Sequence, residues 1–226
     1  MTQNRLFTKL CLKIFHVTII LCFLLNFAHA QDLGKIEKGI SFAIQADGSI
    51  YQKESSYPTK FQIGGHAGFM LKIPFDYHVF FVPQADLNFR KFQQKKPVSG
   101  EYYSIEEWQL RVAPMLQIDL NKPQSNTLFF QFGPSIGFGL KGNQVRYNNS
   151  QEEKRSLKYG YQYYGRYDAS AHAIIGYEKS SGLRISAEYV HGLGNMINTE
   201  MGARMKYRTV AIEVGYILGR KKPSGS

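Results

Sequence analysis

The stretch Thr127 to Lys141, TLFFQFGPSIGFGLK, decides the fold because its two sets of alternate positions differ completely. The even positions are mostly large and apolar: Leu128, Phe130, Phe132, Pro134, Ile136, Phe138 and Leu140. From residue 131 to residue 139 the odd positions are small or polar: Gln131, Gly133, Ser135, Gly137 and Gly139. Successive side chains of a β-strand point to opposite faces. The stretch therefore predicts a strand with one bulky apolar face and one small, polar face.

The same alternation recurs along the chain from Gly39 onward. It predicts strands over residues 40–46, 60–72, 77–91, 104–120, 127–141, 167–177, 183–189 and 210–218. Eight strands are an even number, which is typical of bacterial outer-membrane barrels.

The predicted connections alternate in length. Long loops span 47–59, 92–103, 142–165 and 191–205, and short turns span 73–77, 121–126 and 178–182. Long loops at one end and tight turns at the other are typical of a barrel that crosses the outer membrane with both termini in the periplasm. We therefore expect an all-β fold, an eight-stranded antiparallel up-and-down transmembrane β-barrel of OmpA/OmpX-like architecture.

The two faces of the strands indicate which side meets lipid. In a membrane barrel the bulky apolar face contacts lipid, and the small, polar face fills a narrow lumen. A soluble lipocalin-like barrel would reverse the two faces, and we favour the membrane barrel. Pro83, Pro114 and Pro134 fall within predicted strands, where proline removes a ladder hydrogen bond, so we expect bulges there.

The first thirty residues have the features of a secretory signal. Three basic residues precede an apolar run, and Ala28-His29-Ala30 supplies a small-x-small cleavage motif before Gln31. Removing residues 1–30 lowers the net charge from +11 to +8, because three basic and no acidic residues are lost. Both cysteines are lost too, which leaves no disulfide. We expect a short periplasmic segment over 31–38, the barrel over 39–219 and a basic tail over 220–226.

Five segments carry a family resemblance: FVPQADLNFRK (81–91), VAPMLQIDL (112–120), FQFGPSIGFGLKG (130–142), YDASAHAIIGYE (167–178) and RISAEYVHGLGNMI (184–197). Their order and spacing resemble the PorT-like outer-membrane barrels of Bacteroidota, also termed the porin family. The chain departs from that pattern at Ala85 and Asp86, where a Glu commonly follows the proline, and in its basic tail. The resemblance implies an outer-membrane barrel, and its founding member is linked to protein secretion.

Charged residues on the inward face predict a polar network in the lumen, because buried charges must pair. The network comprises Asp86, Arg111, Arg184, Glu188 and Glu213. We expect Arg111 to pair with Asp86, and Arg184 to pair with Glu188 or Glu213.

A second set of charges lies in the predicted long loops. This basic patch comprises Lys95, Lys96, Arg146, Lys154 and Arg155. Clustered cations at a membrane surface favour anionic lipids, here the phosphates of lipopolysaccharide. Further expected partners are the barrel-assembly machinery during insertion and envelope proteins, whereas nucleic acid is not expected.

The sequence offers little sign of enzyme chemistry. His191 and Glu188 fall on opposite faces of one strand, and no serine stands near them at 192–195. His66 and His172 look like isolated hydrogen-bonding groups of the lumen. We expect no enzyme activity, no catalytic residues, no cofactor and no metal. Two functions remain open: an envelope protein with a structural or interaction role, and a small-solute porin. A lipid-A-modifying enzyme is a weaker third.

Overall fold

The structure, a computed structural model, describes residues 34–51, 59–95, 102–122, 125–148, 151–160, 163–196 and 205–220. The strands are β1 Glu37–Tyr51, β2 Thr59–Pro74, β3 Val79–Lys95, β4 Tyr102–Asp119, β5 Thr127–Asn148, β6 Gln151–Ser156, β7 Tyr167–Glu178, β8 Leu183–Gly192 and β9 Met205–Leu218. Among these residues, no helix is long and apolar enough to cross a bilayer.

Eight of the strands close into a barrel. Every paired neighbour is antiparallel, in the order β4-β3-β2-β1-β9-β8-β7-β5, and a β4–β5 pairing joins the two ends. Closure leaves no unpaired sheet edge in the ring, as a bilayer requires. The predicted eight-stranded antiparallel barrel is confirmed, although β1 begins at Glu37, two residues before the expected boundary at 39.

The ninth strand lies outside the ring. We expected a loop over 142–165, but β5 continues to Asn148 and returns as β6, which pairs only with that extension. The segment GNQVRYNNSQEEKRS (142–156) has mostly polar residues at both sets of alternate positions. Its strands therefore lack the hydrophobic alternation by which the other strands were identified.

Burial alternates along the strands as the sequence predicts. In β7 and β8 nearly every second residue is buried and those between are exposed. The exposed set includes large apolar side chains such as Phe42, Ile63, Ile136 and Ile212, whereas the buried set is rich in charged and amide side chains. An apolar exterior around a polar interior is the arrangement of a barrel in lipid.

The interior also contains two apolar clusters that the sequence analysis missed. The turn-side cluster comprises Met70, Phe80, Val82, Ala113, Met115, Phe129, Ile174 and Ile217. The loop-side cluster comprises Phe92, Ile105, Leu157, Val190, Met196, Met205 and Tyr207. Inward positions near both strand ends are therefore partly apolar.

The expectation of bulges at the prolines was wrong. The β2–β3 register has a gap that contains Pro83, and the β4–β5 register has one that contains Pro114 and Pro134. Pairing resumes in the same register beyond each gap. The register shifts lie elsewhere, for example between Phe61 and Gly65 of β2. Each proline thus interrupts pairing locally without inserting a residue.

Candidate functional site: the polar lumen and the long-loop end

One cross-strand row positions the centre of the lumen network. Gly68 of β2, Asp86 of β3, Arg111 of β4 and Gly137 of β5 occupy consecutive positions of the register. A Cβ atom on Gly68 would collide with Asp86 Oδ1, and one on Gly137 would collide with Gln109. The small residues that flank the row therefore make room for the long polar side chains, as a narrow lumen requires.

Arg111 and Asp86 form the ion pair that the sequence analysis expected. Arg111 Nη2 lies 2.9 Å from Asp86 Oδ2, and Nε donates a hydrogen bond to the same oxygen at 3.0 Å. Arg111 Nη2 also lies 3.5 Å from Glu188 Oε1, so one guanidinium forms ion pairs with two carboxylates. All three side chains are buried.

Both lumen histidines join this network through Glu188 and Glu213. His172 Nδ1 lies 2.6 Å from Glu188 Oε1. His66 Nε2 lies 3.3 Å from Glu213 Oε2 and 3.8 Å from Glu188 Oε2. His66 therefore lies between the two glutamates of the predicted network.

Arg184 does not pair with Glu188 or Glu213, and that expectation was wrong. Its Nε lies 3.6 Å from Glu178 Oε2, and its guanidinium lies 4.3 Å from the Phe129 ring centroid. Glu188 is four residues further along β8, which at about 3.3 Å per residue places it roughly 13 Å away along the strand. Arg184 instead belongs to a group of charges at the turn end.

That turn-end cluster was not foreseen. Lys72, only 1% exposed, donates hydrogen bonds to Asp119 Oδ2 at 2.7 Å and to Glu178 Oε1 at 2.8 Å. Lys72 and Glu178 occupy inward positions of β2 and β7, so the alternation of those strands could have identified them. Contact across the lumen between non-adjacent strands, however, is not encoded in any local pattern.

Arg220, the first residue of the expected basic tail, is part of this cluster. Its Nε donates to Glu37 Oε1 at 2.7 Å, and its Nη2 donates to Glu178 Oε1 at 2.8 Å. Burial alone would lower the pKa of Arg220, but Glu37 and Glu178 outweigh that effect and raise the pKa above its ordinary value. Arg220, which follows β9, thus joins β1 and β7 at the turn end of the barrel.

A third charged group lies toward the loop end. Arg90 donates hydrogen bonds to Glu107 Oε2 at 2.6 Å and to Asp168 Oδ2 at 2.8 Å. Tyr159, which lies beyond β6, donates its hydroxyl to Glu107 Oε1 at 2.9 Å. Burial and the charge of Glu107 raise the pKa of the Tyr159 phenol well above its ordinary value. The segment after β6 is therefore anchored to the lumen.

The structure also aligns a serine, a histidine and a glutamate, contrary to our expectation that no such group exists. Ser135 Oγ lies 2.7 Å from His172 Nε2, and His172 Nδ1 lies 2.6 Å from Glu188 Oε1. These are hydrogen-bond distances of the kind that link a nucleophile, a base and an orienting acid. All three are buried, and Ser135 Oγ also contacts Ser170 Oγ at 2.8 Å. Sequence analysis missed the group because it spans three strands whose register was unknown.

The basic patch is only partly described. Lys96 lies outside the described residues, and Lys95 is described only as the last residue of β3. Lys154 and Arg155 are exposed on β6, where Arg155 Nε donates to Glu153 Oε1 at 2.8 Å. Arg146 lies on the extension of β5 and is half-buried. The patch cations whose burial the structure describes, Arg146, Lys154 and Arg155, thus belong to the β5–β6 hairpin.

Metal-ligating residues do not gather in the described part of the chain. No group of three or more His, Asp or Glu side chains among those residues is arranged to hold an ion.

A closed antiparallel barrel with apolar side chains outside and paired charges inside defines the class of outer-membrane β-barrel proteins. Residues 30–198 match the family of outer membrane protein beta-barrel domains. The chain belongs to that family, and it is a protein of the outer membrane. No curated protein sequence matches it.

Several solved outer-membrane proteins are similar in structure. Ail, the attachment invasion locus protein of Yersinia pestis, is 14% identical, and the match covers 82% of this chain and 100% of Ail at a TM-score of 0.45. OprG from Pseudomonas aeruginosa is 10% identical, with 80% and 96% covered at a TM-score of 0.46. Neisserial surface protein A is 6% identical, with 81% and 99% covered at 0.44.

Proposed function

We propose that this protein is a small outer-membrane barrel with a filled lumen and a structural or interaction role in the cell envelope. The observation that carries the proposal is the buried network around Arg111, Glu188 and His66, whose side chains fill the centre of the barrel. An eight-stranded barrel has an interior just wide enough for such side chains. The partners of the barrel therefore meet its loops, its turns or its lipid-facing surface.

Conductance distinguishes this role from the alternative, a small-solute porin or transporter. The purified protein is inserted into planar bilayers, with a 16-stranded porin as the positive control. We expect no stable single-channel steps, because the paired charges occupy the path that a solute would take. Large, stable steps would contradict the filled lumen and favour the porin.

We propose further that the protein is a PorT-like barrel from Bacteroidota that takes part in protein secretion or envelope assembly. The five segments quoted above and the membership of the outer-membrane barrel family support this assignment. A deletion strain should export less of its secreted protein while its other outer-membrane proteins are unchanged. An unaltered set of secreted proteins would exclude the secretion role and leave an interaction role, which mild cross-linking followed by co-purification would test.

We propose that the protein reaches the outer membrane through a Sec-type export pathway. The basic start, the apolar run and the Ala28-His29-Ala30 motif support cleavage before Gln31. N-terminal sequencing of the protein from outer membranes should begin at Gln31. A chain that retains residues 1–30 would show a permanent anchor instead. Insertion by the barrel-assembly machinery would then follow, with Tyr216 and Leu218 of β9 as the residues that it recognises.

Contact with lipopolysaccharide is the proposed role of the basic patch. The exposed Lys154 and Arg155 of β6 support it, because they lie at the long-loop end of the barrel. In the predicted orientation that end faces outward, where cations meet lipid phosphates.

A hydrolase is the second candidate function, and the alignment of Ser135, His172 and Glu188 is the observation that favours it. We propose that the group is structural, because its members are buried and Ser135 Oγ is also hydrogen-bonded to Ser170. A fluorophosphonate probe phosphonylates an activated serine with loss of fluoride. We expect the folded protein to remain unlabelled. Labelling of the wild type that disappears in Ser135→Ala would show an activated nucleophile and favour the enzyme.

A further inference from the structure

A cavity of about 510 Å³ lies on the outer surface of the barrel near its long-loop end. Its floor is a cross-strand row of Phe89 on β3, Trp108 on β4 and Lys141 on β5. The rings of Phe89 and Trp108 are 5.0 Å apart at a tilt of 45°. The floor is therefore an aromatic surface with a cation at one side.

A β-bulge places that cation outside the barrel. Trp108 pairs with Lys141, whereas the next residue of β4, Gln109, pairs with Gly139, so Leu140 is an extra residue in β5. Leu140 and Lys141 are consecutive and both exposed, whereas regular alternation would turn one of them inward. Bulges commonly redirect a side chain in this way. The bulge thus adds a lysine to an apolar surface.

The segment after β6 builds the wall of the cavity. Leu157 N donates to Gly142 O at 2.8 Å, and Gly139 N donates to Arg166 O at 2.8 Å, so both ends of the segment are tied to β5. The Arg166 guanidinium lies 5.1 Å from the ring centroid of Tyr159, whose hydroxyl is bound to Glu107. The wall is therefore held by backbone and side-chain contacts.

The charges of the cavity favour an anion. Lys141 and Arg166 form no ion pair with any residue that the structure describes, and Arg166 is exposed. The carboxylate of Glu106, which also lines the cavity, lies 2.7 Å from Lys91 Nζ and is already neutralised. Asn143 and Ser156 add groups that can hydrogen-bond. Two cations without an ion pair among the described residues, beside an aromatic surface, suit an amphiphile with a negatively charged head.

The surroundings point to a lipid as the source of that anion. Closer to the middle of the barrel, the same outer face continues into exposed Leu87, Leu110 and Ile136. Trp108, 38% exposed, lies where the apolar band meets the loop end, as aromatic residues of an interface do. We propose that the cavity binds the phosphate head of a membrane lipid between Lys141 and Arg166, with its acyl chains along this band. The inference rests on the proposed contact with outer-membrane lipids and deepens it by naming the site.

Trp108 makes the proposal testable, because it is the only tryptophan of the chain. The full-length mature protein is reconstituted into phosphatidylcholine vesicles that contain either brominated phosphatidic acid or brominated phosphatidylcholine. Bromine quenches a tryptophan in contact with the labelled lipid. We expect phosphatidic acid to quench Trp108 with about tenfold higher relative affinity, since each cation near the surface attracts an anionic lipid.

Charge-matched variants locate the binding. Lys141→Gln with Arg166→Gln should reduce the preference for phosphatidic acid to near unity, while removing two exposed cations of the turn end, Lys122→Gln with Lys179→Gln, should leave it unchanged. The shift of folded protein on unheated gels shows that each variant is folded. Equal quenching by both lipids in the wild type, or equal losses in both double variants, would overturn the proposal.

A soluble anion is distinguished from a lipid by competition. Inorganic phosphate at the concentration of total lipid phosphate should leave the quenching intact, because it lacks acyl chains. Complete loss of the preference would show a site for free phosphate and contradict the lipid assignment. The conductance measurement tests the filled-lumen proposal independently. A barrel that shows neither single-channel steps nor a preference for phosphatidic acid would therefore refute this lipid site and leave the filled lumen unaffected.

Discussion

Replacing Arg111 by methionine should lower the free energy of unfolding by about 3–5 kcal/mol, the usual cost of removing one partner of a buried ion pair. Arg111 contacts both Asp86 and Glu188, and all three side chains are buried. The variant leaves two carboxylates close together without their shared cation. Urea unfolding in lipid vesicles, followed by the emission of Trp108, measures the change.

An exposed ion pair provides the matched control. Arg155 pairs with Glu153 on β6, where both side chains are at least half exposed. Arg155→Met is the same chemical change as Arg111→Met, yet it should alter the free energy of unfolding by less than about 0.5 kcal/mol. If the two variants are equally stable, the lumen network contributes nothing beyond a surface contact.

A double variant separates the loss of the ion pair from the loss of packing. Asp86→Asn removes one of the two carboxylates that Arg111→Met leaves unpaired. The double variant should therefore lose less stability than the sum of the two single changes. Strict additivity would mean that the Asp86 carboxylate contributes nothing to the effect of Arg111 on stability.

The sequence predicted a side-chain contact correctly where the two residues lie on neighbouring strands. Strand alternation identified the inward positions, and Asp86 and Arg111 pair directly across β3 and β4. Residues on adjacent strands are close whenever their register brings them level. The pair could therefore be expected from the placement of two predicted strands.

Contacts across the lumen, between strands that are not adjacent, could not be predicted in this way. Lys72 of β2 meets Glu178 of β7 and Asp119 of β4, and neither strand is adjacent to β2. These contacts depend on the stagger of the strands around the barrel, which the alternation of one strand does not contain. Arg184 is a different case, because it is level with Glu178 across the adjacent strands β7 and β8. Its partner was missed because Glu178 was not counted among the inward charges.

The contacts of His172 with Ser135 and Glu188 also could not be predicted from the sequence. Register places Gly133 opposite His172, so Ser135 reaches His172 from two residues further along β5. His172 pairs with Val190, and Glu188 is again two residues away. The three side chains therefore meet only because of the registers of two strand pairs, which the alternation of each strand does not determine.

Gly133→Ala should destabilise the barrel by about 2–3 kcal/mol, the cost of an added methyl group that has no space. A Cβ at Gly133 would lie 2.5 Å from Pro114 O and 3.0 Å from Met115 Cα. These are backbone atoms of β4, so the clash can be relieved only by moving a strand. They lie within the gap in β4–β5 pairing, where Pro114 and Pro134 lack N–H groups.

Gly194→Ala is the control for this change, because its Cβ would meet nothing closer than Ala169 N at 3.5 Å, an ordinary contact. It should shift the free energy of unfolding by less than about 0.5 kcal/mol in the same urea titration. If Gly133→Ala prevents folding, the unheated gel shows the loss directly and still agrees with the clash. A Gly133→Ala barrel as stable as the Gly194→Ala barrel would mean that β4 and β5 lie further apart at the prolines. Only a glycine at position 133 leaves space for the Pro114 carbonyl oxygen, because the Cβ of any other residue would lie 2.5 Å from it.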